Sequence, residues 1–262
     1  MTDPDAIATF LDGANVAPEV FELRPDYRAL LLVADRLEPG SAGDDASEAL
    51  LLAAEASARA TLAARPADQV PQVASWRETY RSFGAKPQRT RNSLEALLRR
   101  AAGDGLPRVN RLTDIYNAIS VLHLLPLGGE DLHRYTGAPR LVRATGSEPF
   151  DTAANGTEVI EHPDPGEVVW CDEAGVTCRR WNWRQARRTQ LRDDTTAALF
   201  ILDALDPITD DALHAAADDL TEHLARLGPS VRTVRRLLAG PNPAPNAAPN
   251  VAQVPAPDPA DA

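Results

Sequence analysis

The stretch LPRVNRLTDIYNAISVLHLLPLGGEDLH, Leu106 to His133, carries the most structural information in the chain. After the turn at Gly105-Leu106-Pro107, Leu112, Ile115, Ile119 and Leu122 recur at three- and four-residue steps. That spacing predicts a helix from Asn110 to Leu125 with one apolar stripe against a core. Asp114, Asn117 and Ser120 fall at matching steps on an adjacent face. The following GGEDLH reads as a polar loop. Upstream, SLEALLRRAA (Ser93 to Ala102) predicts a short amphipathic helix with Ser93 as candidate N-cap and Gly103 as stop. Downstream, VVWCDEAGVTCR (Val168 to Arg179) is two β-rich runs around a Gly-bearing turn, a hairpin, and Leu141 to Thr145 carries a strand signature.

Outside this region the reading is coarser. Ala29 to Ala34 is a brief apolar run bounded by polar residues, which suits a buried strand. Ser47 to Arg65 predicts a helix stopped by Pro66, and Gln72 to Ser82 another, with Trp76 and Tyr80 on one face. Thr195 to Leu205 is apolar without clear period. Asp210 to Leu227 predicts a helix with acidic residues in its first turn and Arg226 near its end, as the helix dipole prefers. From Gly240 onward Pro, Ala and Asn dominate and predict a disordered tail. The expected organisation is an extension over residues 1–80 packed on the core as a short strand and two helices, a core domain over 81–239, and a Pro/Ala-rich tail over 240–262.

The formal charge is −11 over 262 residues. Nucleic-acid coating is dominated by phosphate neutralisation, so this balance argues against indiscriminate binding. The charge is uneven: residues 80–192 hold 17 basic against 13 acidic residues, and the remainder 10 against 25. A basic middle could receive one defined RNA end; the competing reading is solvated arginine on an Arg-rich surface. No stretch approaches the roughly 18 apolar residues of a membrane span, and the start lacks the pattern of a secretory signal. A cytoplasmic protein that binds neither membrane nor DNA is expected. Cys171 and Cys178 are expected to face opposite ways on the hairpin, which disfavours a disulfide. Neither CxxC spacing nor a His cluster accompanies them, and no GxSxG, Walker loop, GxGxxG or HExxH occurs, so no metal or other cofactor is implied.

Three blocks occur in a meaningful order: TDIYNA (Thr113 to Ala118), GEDLH (Gly129 to His133) and WCDEAG (Trp170 to Gly175). They resemble the B3/B4 module of the bacterial phenylalanyl-tRNA synthetase β subunit, where a "VDVTNY"-like helix precedes a "GQPLH"-like loop and a strand pair with a "hADxxG"-like turn. The resemblance covers Ser93 to Leu205 and is better still to stand-alone B3/B4 proteins, in which a motif like Arg180 to Gln185, RWNWRQ, precedes a Thr-bearing strand, here Thr189 and Thr195. It implies an α+β fold, a mixed or antiparallel sheet flanked by helices, and removal of a wrong amino acid from tRNA. Tyr116 stands where the synthetases carry Thr, which implies a pocket floor shaped for a different side chain.

By the same resemblance His133 would sit near the ester or ribose, and Asn117 would hydrogen-bond the amino acid's ammonium or carbonyl; these are the candidate catalytic residues. The alternative for His133 is a surface imidazole. Asp114 braces its helix or touches substrate. Stand-alone relatives are thought to clear mischarged tRNAs, including canavanine on arginine tRNA, and Glu130, Asp131 or Asp172 would suit a guanidine-like side chain through bidentate hydrogen bonds. Trp181 and Trp183 alternate with Arg180, Asn182 and Arg184, which predicts a strand with one aromatic face. Packing is the default for the tryptophans, and the functional reading puts Trp183, Arg184 and Gln185 at the substrate, with Arg187 and Arg188 on tRNA phosphates. The competing functions are a binding module for tRNA or an amino acid, and a scaffold acting through its tail.

Overall fold

Two eight-residue runs of the chain are buried along their whole length, and they organise the fold. In the computed structural model, which describes residues 3–38, 40, 44–154 and 156–240, these runs are the strands Arg28–Asp35 and Ala197–Ala204. In chain order the elements are α1 (Pro4–Gly13), β1 (Asn15–Val16), α2 (Pro18–Leu23), β2 (Arg28–Asp35), α3 (Asp45–Ala64), α4 (Pro71–Ser82), α5 (Ser93–Ala102) and α6 (Arg111–His123). Then come β3 (Leu127–Asp131), β4 (Arg140–Arg143), β5 (Phe150–Ala154), β6 (Thr157–Glu161), β7 (Val168–Asp172), β8 (Gly175–Arg179), β9 (Arg184–Gln185), β10 (Ala197–Ala204), α7 (Asp210–Ala225) and β11 (Arg232–Ala239).

The fold is α+β. β2 and β10 pair antiparallel from Ala197↔Asp35 to Ala204↔Arg28, with β11 outside β2 and β3 outside β10. A strand buried on both faces needs a layer on each side. Leu30, Leu32, Phe200 and Leu202 pack on Ile115 and Ile119 of α6 and on Leu213 and Leu220 of α7. Leu31, Val33, Leu199 and Ile201 point the other way, to Leu141 and Trp170 of a second sheet and to Trp76 and Tyr80 of α4. That second sheet has the order β1-β4-β7-β8-β9, with β1 parallel to β4 and the rest antiparallel. α3, α5 and α6 share a third core through Leu51, Ala58, Leu94, Leu98 and Val121.

Several sequence expectations change. The first 80 residues supply β2, which lies between β10 and β11 in the four-stranded sheet. Thr195 to Leu205 lacks period because β10 is covered on both faces. The N-cap of α5 is Asn92, whose side chain accepts from the Glu95 amide at 2.9 Å, in place of Ser93. α1 and α2, each with proline in its first turn, the β5–β6 hairpin and the edge strand β11 were not legible beforehand. Of the expected tail, 240–262, residues 241–262 lie outside the described residues.

Two corrections bear on function. GGEDLH is not an exposed loop: Leu127–Asp131 is β3 and only Leu132–Arg134 forms a short 3₁₀ turn. Gly129 permits this, since a Cβ there would lie 2.8–2.9 Å from Leu191, Phe200 and Tyr116. The RWNWRQ segment is not a strand. Arg180 and Trp181 have φ of 47° and 67°, a left-handed turn, and only Arg184 and Gln185 pair as β9. Buried Glu167 holds the turn: its Oε1 accepts from the Arg180 amide at 3.1 Å, while its carboxylate takes Arg179 Nε and Nη2 at 2.9 and 2.8 Å.

Candidate functional site

The left-handed turn and β3 leave a cavity of about 250 Å³ between α5, α6, β3, the β7–β8 hairpin and β10. α6 contributes Tyr116 and Asn117, consecutive residues at its edge. β3 contributes Gly128 and Glu130, the turn contributes Trp181, Asn182 and Trp183, and β9 contributes Arg184 and Gln185. β10 contributes Ile201 and Asp203, and the hairpin contributes Trp170 and Cys178.

Six of the sequence-predicted residues are therefore brought together: Tyr116, Asn117, Glu130, Trp183, Arg184 and Gln185. Asn117 is 7% exposed and lines the cavity, and its carboxamide makes no hydrogen bond with a described residue. Gln185 Nε2 donates to the Gly129 carbonyl at 2.7 Å and Arg184 Nη2 to the Ala153 carbonyl at 2.9 Å, which fixes both side chains. Burial raises the Tyr116 phenol to about 12, so it is a neutral hydroxyl at ordinary pH.

The cavity holds two wholly buried carboxyls, Glu130 and Asp203, and neither forms an ion pair with a described residue. Buried carboxylates are costly without a cation, so burial shifts both toward the protonated form. Burial raises Glu130, although Tyr135, Thr189, Thr177 and Gln185 pull it the other way; Tyr135 Oη donates to Glu130 Oε2 at 2.5 Å. Burial raises Asp203 from its ordinary 3.8 to about 7, against the opposing influence of Tyr27, Asn182 and Trp170. Tyr27 Oη donates to Asp203 Oδ1 at 2.6 Å and Asn182 Nδ2 to Oδ2 at 3.2 Å, while Asn182 Oδ1 accepts from Tyr80 Oη at 2.9 Å. The indole N–H of Trp170 lies close enough to favour the Asp203 carboxylate but outside hydrogen-bonding geometry, and that of Trp181 is likewise unpartnered.

Sequence reasoning missed Asp203 and Asn182. The available signal was a lone carboxyl in an otherwise apolar run, ALFILDAL, which marks a buried charge that needs a reason. Trp181 follows its packing reading, buried against Tyr27 and Trp76 at ring distances of 4.8 and 5.5 Å, and also forms cavity wall.

The other candidates lie elsewhere. His133 is exposed, its Nε2 3.2 Å from Thr196 Oγ1, and it is not a wall of the cavity. Asp131 accepts from the His133 amide at 2.9 Å and from Thr195 Oγ1 at 3.0 Å. Asp172 holds the hairpin turn through the Ala174 and Gly175 amides and is gripped by both Nη atoms of Arg188, at 2.9 and 2.8 Å. Arg187 pairs with Asp151 and Glu158. Asp114 braces α6 by accepting from the Val109 amide at 2.8 Å. Both cysteines are free and buried; burial raises their thiols, Cys178 furthest, so neither is a ready thiolate.

The chain matches the B3/4 domain family over residues 75–228. No curated protein matches it. Among solved structures it is similar to an N-terminal fragment of the phenylalanyl-tRNA synthetase β subunit from Pyrococcus horikoshii, at 10% identity and a TM-score of 0.40, over 84% of this chain and 49% of that one. The chain thus spans about half the length of that fragment.

Proposed function

The chain belongs to the B3/4 domain family, and from that premise we propose that it is a trans-editing aminoacyl-tRNA deacylase, hydrolysing the ester of a mischarged tRNA whose amino acid carries a cationic, guanidine-like side chain. The observation that carries this reading is the pairing of Asn117, with an uncommitted carboxamide, and two buried unpaired carboxyls, Glu130 and Asp203, in one cavity. At about 250 Å³ the space is below the roughly 300–1,000 Å³ of pockets for drug-sized ligands and suits one amino-acid side chain. A guanidinium entering it would supply the missing countercharge and find planar bidentate acceptors. Arginine analogues such as canavanine on arginine tRNA fit that chemistry.

An aminoacyl ester is already activated, so the protein's work is to orient it, aim a water at the carbonyl and meet the developing oxyanion with donors. Asn117, on the cavity wall, is the residue we assign to donate to that oxygen or to hold the α-ammonium. In this reading water is the nucleophile, assisted by a ribose hydroxyl of the tRNA.

The test is deacylation of a panel of tRNAs charged with cognate and near-cognate amino acids, arginine tRNA carrying canavanine included. One mischarged pair is cleared and its cognate spared, and Asn117→Ala slows clearance about 10²- to 10³-fold, the usual cost of one oxyanion donor. Clearance of no ester removes the enzyme reading. A second reading, a non-catalytic module that binds tRNA or an amino acid, is favoured by the position of His133, exposed and outside the cavity. Charged tRNA bound tightly and left intact would establish it.

A further inference from the structure

A second depression, of about 450 Å³, adjoins the cavity and is lined by Lys86, Arg89, Thr90, Asp164, Glu167 and Arg180, among others. The left-handed turn divides the two spaces. Arg180 faces the outer groove while Trp181, Asn182 and Trp183 face the cavity, and the Arg180 guanidinium lies 4.6 Å over the Trp183 ring. The segment before α5 runs the same course, with Thr90 in the groove and Ser93 in the cavity.

The charge of the groove is positive once pairing is counted. Glu167 is neutralised by the two-pronged grip of Arg179, and Arg180 Nε adds a further contact at 3.5 Å. Asp164 is 83% exposed and only 4.0 Å from Arg180 Nη2, a loose contact. Lys86 and Arg89 are exposed and make neither an ion pair nor a side-chain hydrogen bond with any described residue. Residues 81–100 hold six basic residues and one acidic residue in a chain whose net charge is −11. Arg187 and Arg188, the phosphate contacts the sequence suggested, are by contrast spent on Asp151, Glu158 and Asp172.

We propose that this groove binds the phosphates of a single-stranded RNA 3′ end, with Lys86 and Arg89 as the phosphate contacts and Arg180 at the boundary with the cavity. The assignment rests on the reading that the cavity takes the amino acid: the ester sits on the terminal ribose, so the last phosphates must lie just outside, and this adjoining groove offers cations that no described residue pairs. Phosphate contacts of this kind position the RNA without reading its sequence.

The test uses the full chain and a fluorescein-labelled eight-nucleotide RNA ending in CCA, with anisotropy followed across KCl concentrations. Losing two single-strand phosphate contacts flattens the slope of log K against log[KCl] by about 1.4. Lys86→Ala/Arg89→Ala therefore binds about tenfold more weakly at 0.1 M KCl with that flatter slope, whereas Arg187→Ala binds like the parent. An unchanged slope in the double variant, an equal loss in Arg187→Ala, or no binding by the parent protein overturns the proposal. Lys86 is the chain's one lysine, so a second measurement needs no variant. Acylation of Lys86 by an amine-reactive ester, read by peptide mass spectrometry, slows several-fold with the RNA bound, and unslowed acylation refutes the contact. Deacylation separates the two readings. RNA binding that depends on Lys86 and Arg89 without ester cleavage keeps the groove and removes the enzyme; deacylation undiminished in the double variant keeps the enzyme and removes the groove.

Discussion

Replacing Asp203 with Asn should stabilise the protein at alkaline pH while impairing its cavity. Asp203 is wholly buried without a cation, and its carboxyl titrates near 7 in the fold against an ordinary 3.8. Each tenfold change in acid strength is about 1.4 kcal/mol, so ionising this group inside the fold costs ~4 kcal/mol relative to the unfolded chain. The sign follows from proton binding. A raised native value means that the fold holds the proton where the unfolded chain has lost it, so this contribution to stability is intact below pH 3.8, shrinks as pH rises, and is fully lost above about 7. Asn carries no charge and escapes that loss. It does set an amide N–H₂ among the Tyr27 and Asn182 donors, a mismatch costing ~1–2 kcal/mol. The net expectation is a variant ~2 kcal/mol more stable than the parent at pH 8.5 and ~1–2 kcal/mol less stable at pH 4, with a crossover between. For a chain of this size that is a rise in Tm of ~4–8 °C at the alkaline end. Thermal unfolding followed by circular dichroism from pH 4 to 8.5, on parent and variant, measures it. A stability difference that does not change with pH would refute the reasoning, since Asp203 would then not titrate as a buried unpaired acid.

Binding of free arginine, cationic throughout this range, should weaken about tenfold between pH 8 and pH 6, because a cation prefers the ionised Asp203 and the group protonates below about 7; calorimetric titration reads this, and a flat profile sinks it. Glu167→Ala strips Arg179 of its principal buried partner and frees the Arg180 turn, at ~3–5 kcal/mol and a fall in Tm of ~10 °C, softened by the Arg179–Glu161 contact; a shift under ~2 °C would mean that the turn holds itself. Cys178 should react with a disulfide reagent at pH 8 roughly 100-fold more slowly in the native protein than in guanidinium chloride, and fast native labelling would return a thiol nucleophile to consideration.

Helices α3 to α7 and the β7–β8 hairpin could be read from sequence because each depends on neighbours a few residues away: a 3.6-residue stripe, a cap, a turn around Gly175. Asn117 and Glu130 were legible as motif residues for a similar reason, since each sits in a short ordered block. His133 belongs to the same block yet stands outside the cavity, because the backbone turns away after β3 and carries its ring to Thr196. The RWNWRQ alternation looked like a strand, and its local pattern was genuine. A carboxylate 13 residues back, Glu167, captures the Arg180 amide and bends the chain instead.

What the sequence determined by itself was the α+β content, the family blocks and one central strand, the apolar run Ala29 to Ala34; that Thr195 to Leu205 also holds a strand was left to the structure. The tertiary structure alone decided which carboxyls face the cavity. Asp131 and Asp172 look as suited to a cation as Glu130, yet the first is spent on Thr195 and the second on Arg188, contacts set by sheet register and hairpin geometry. Asp203 acquires its character from Tyr27, 176 residues away, and Asn182, 21 residues away, which only the β2–β10 pairing and the left-handed turn bring within 3.2 Å. Periodicity is a property of adjacent residues, whereas the protonation of a buried acid depends on everything packed around it, and that packing is fixed when the two sheets close on each other.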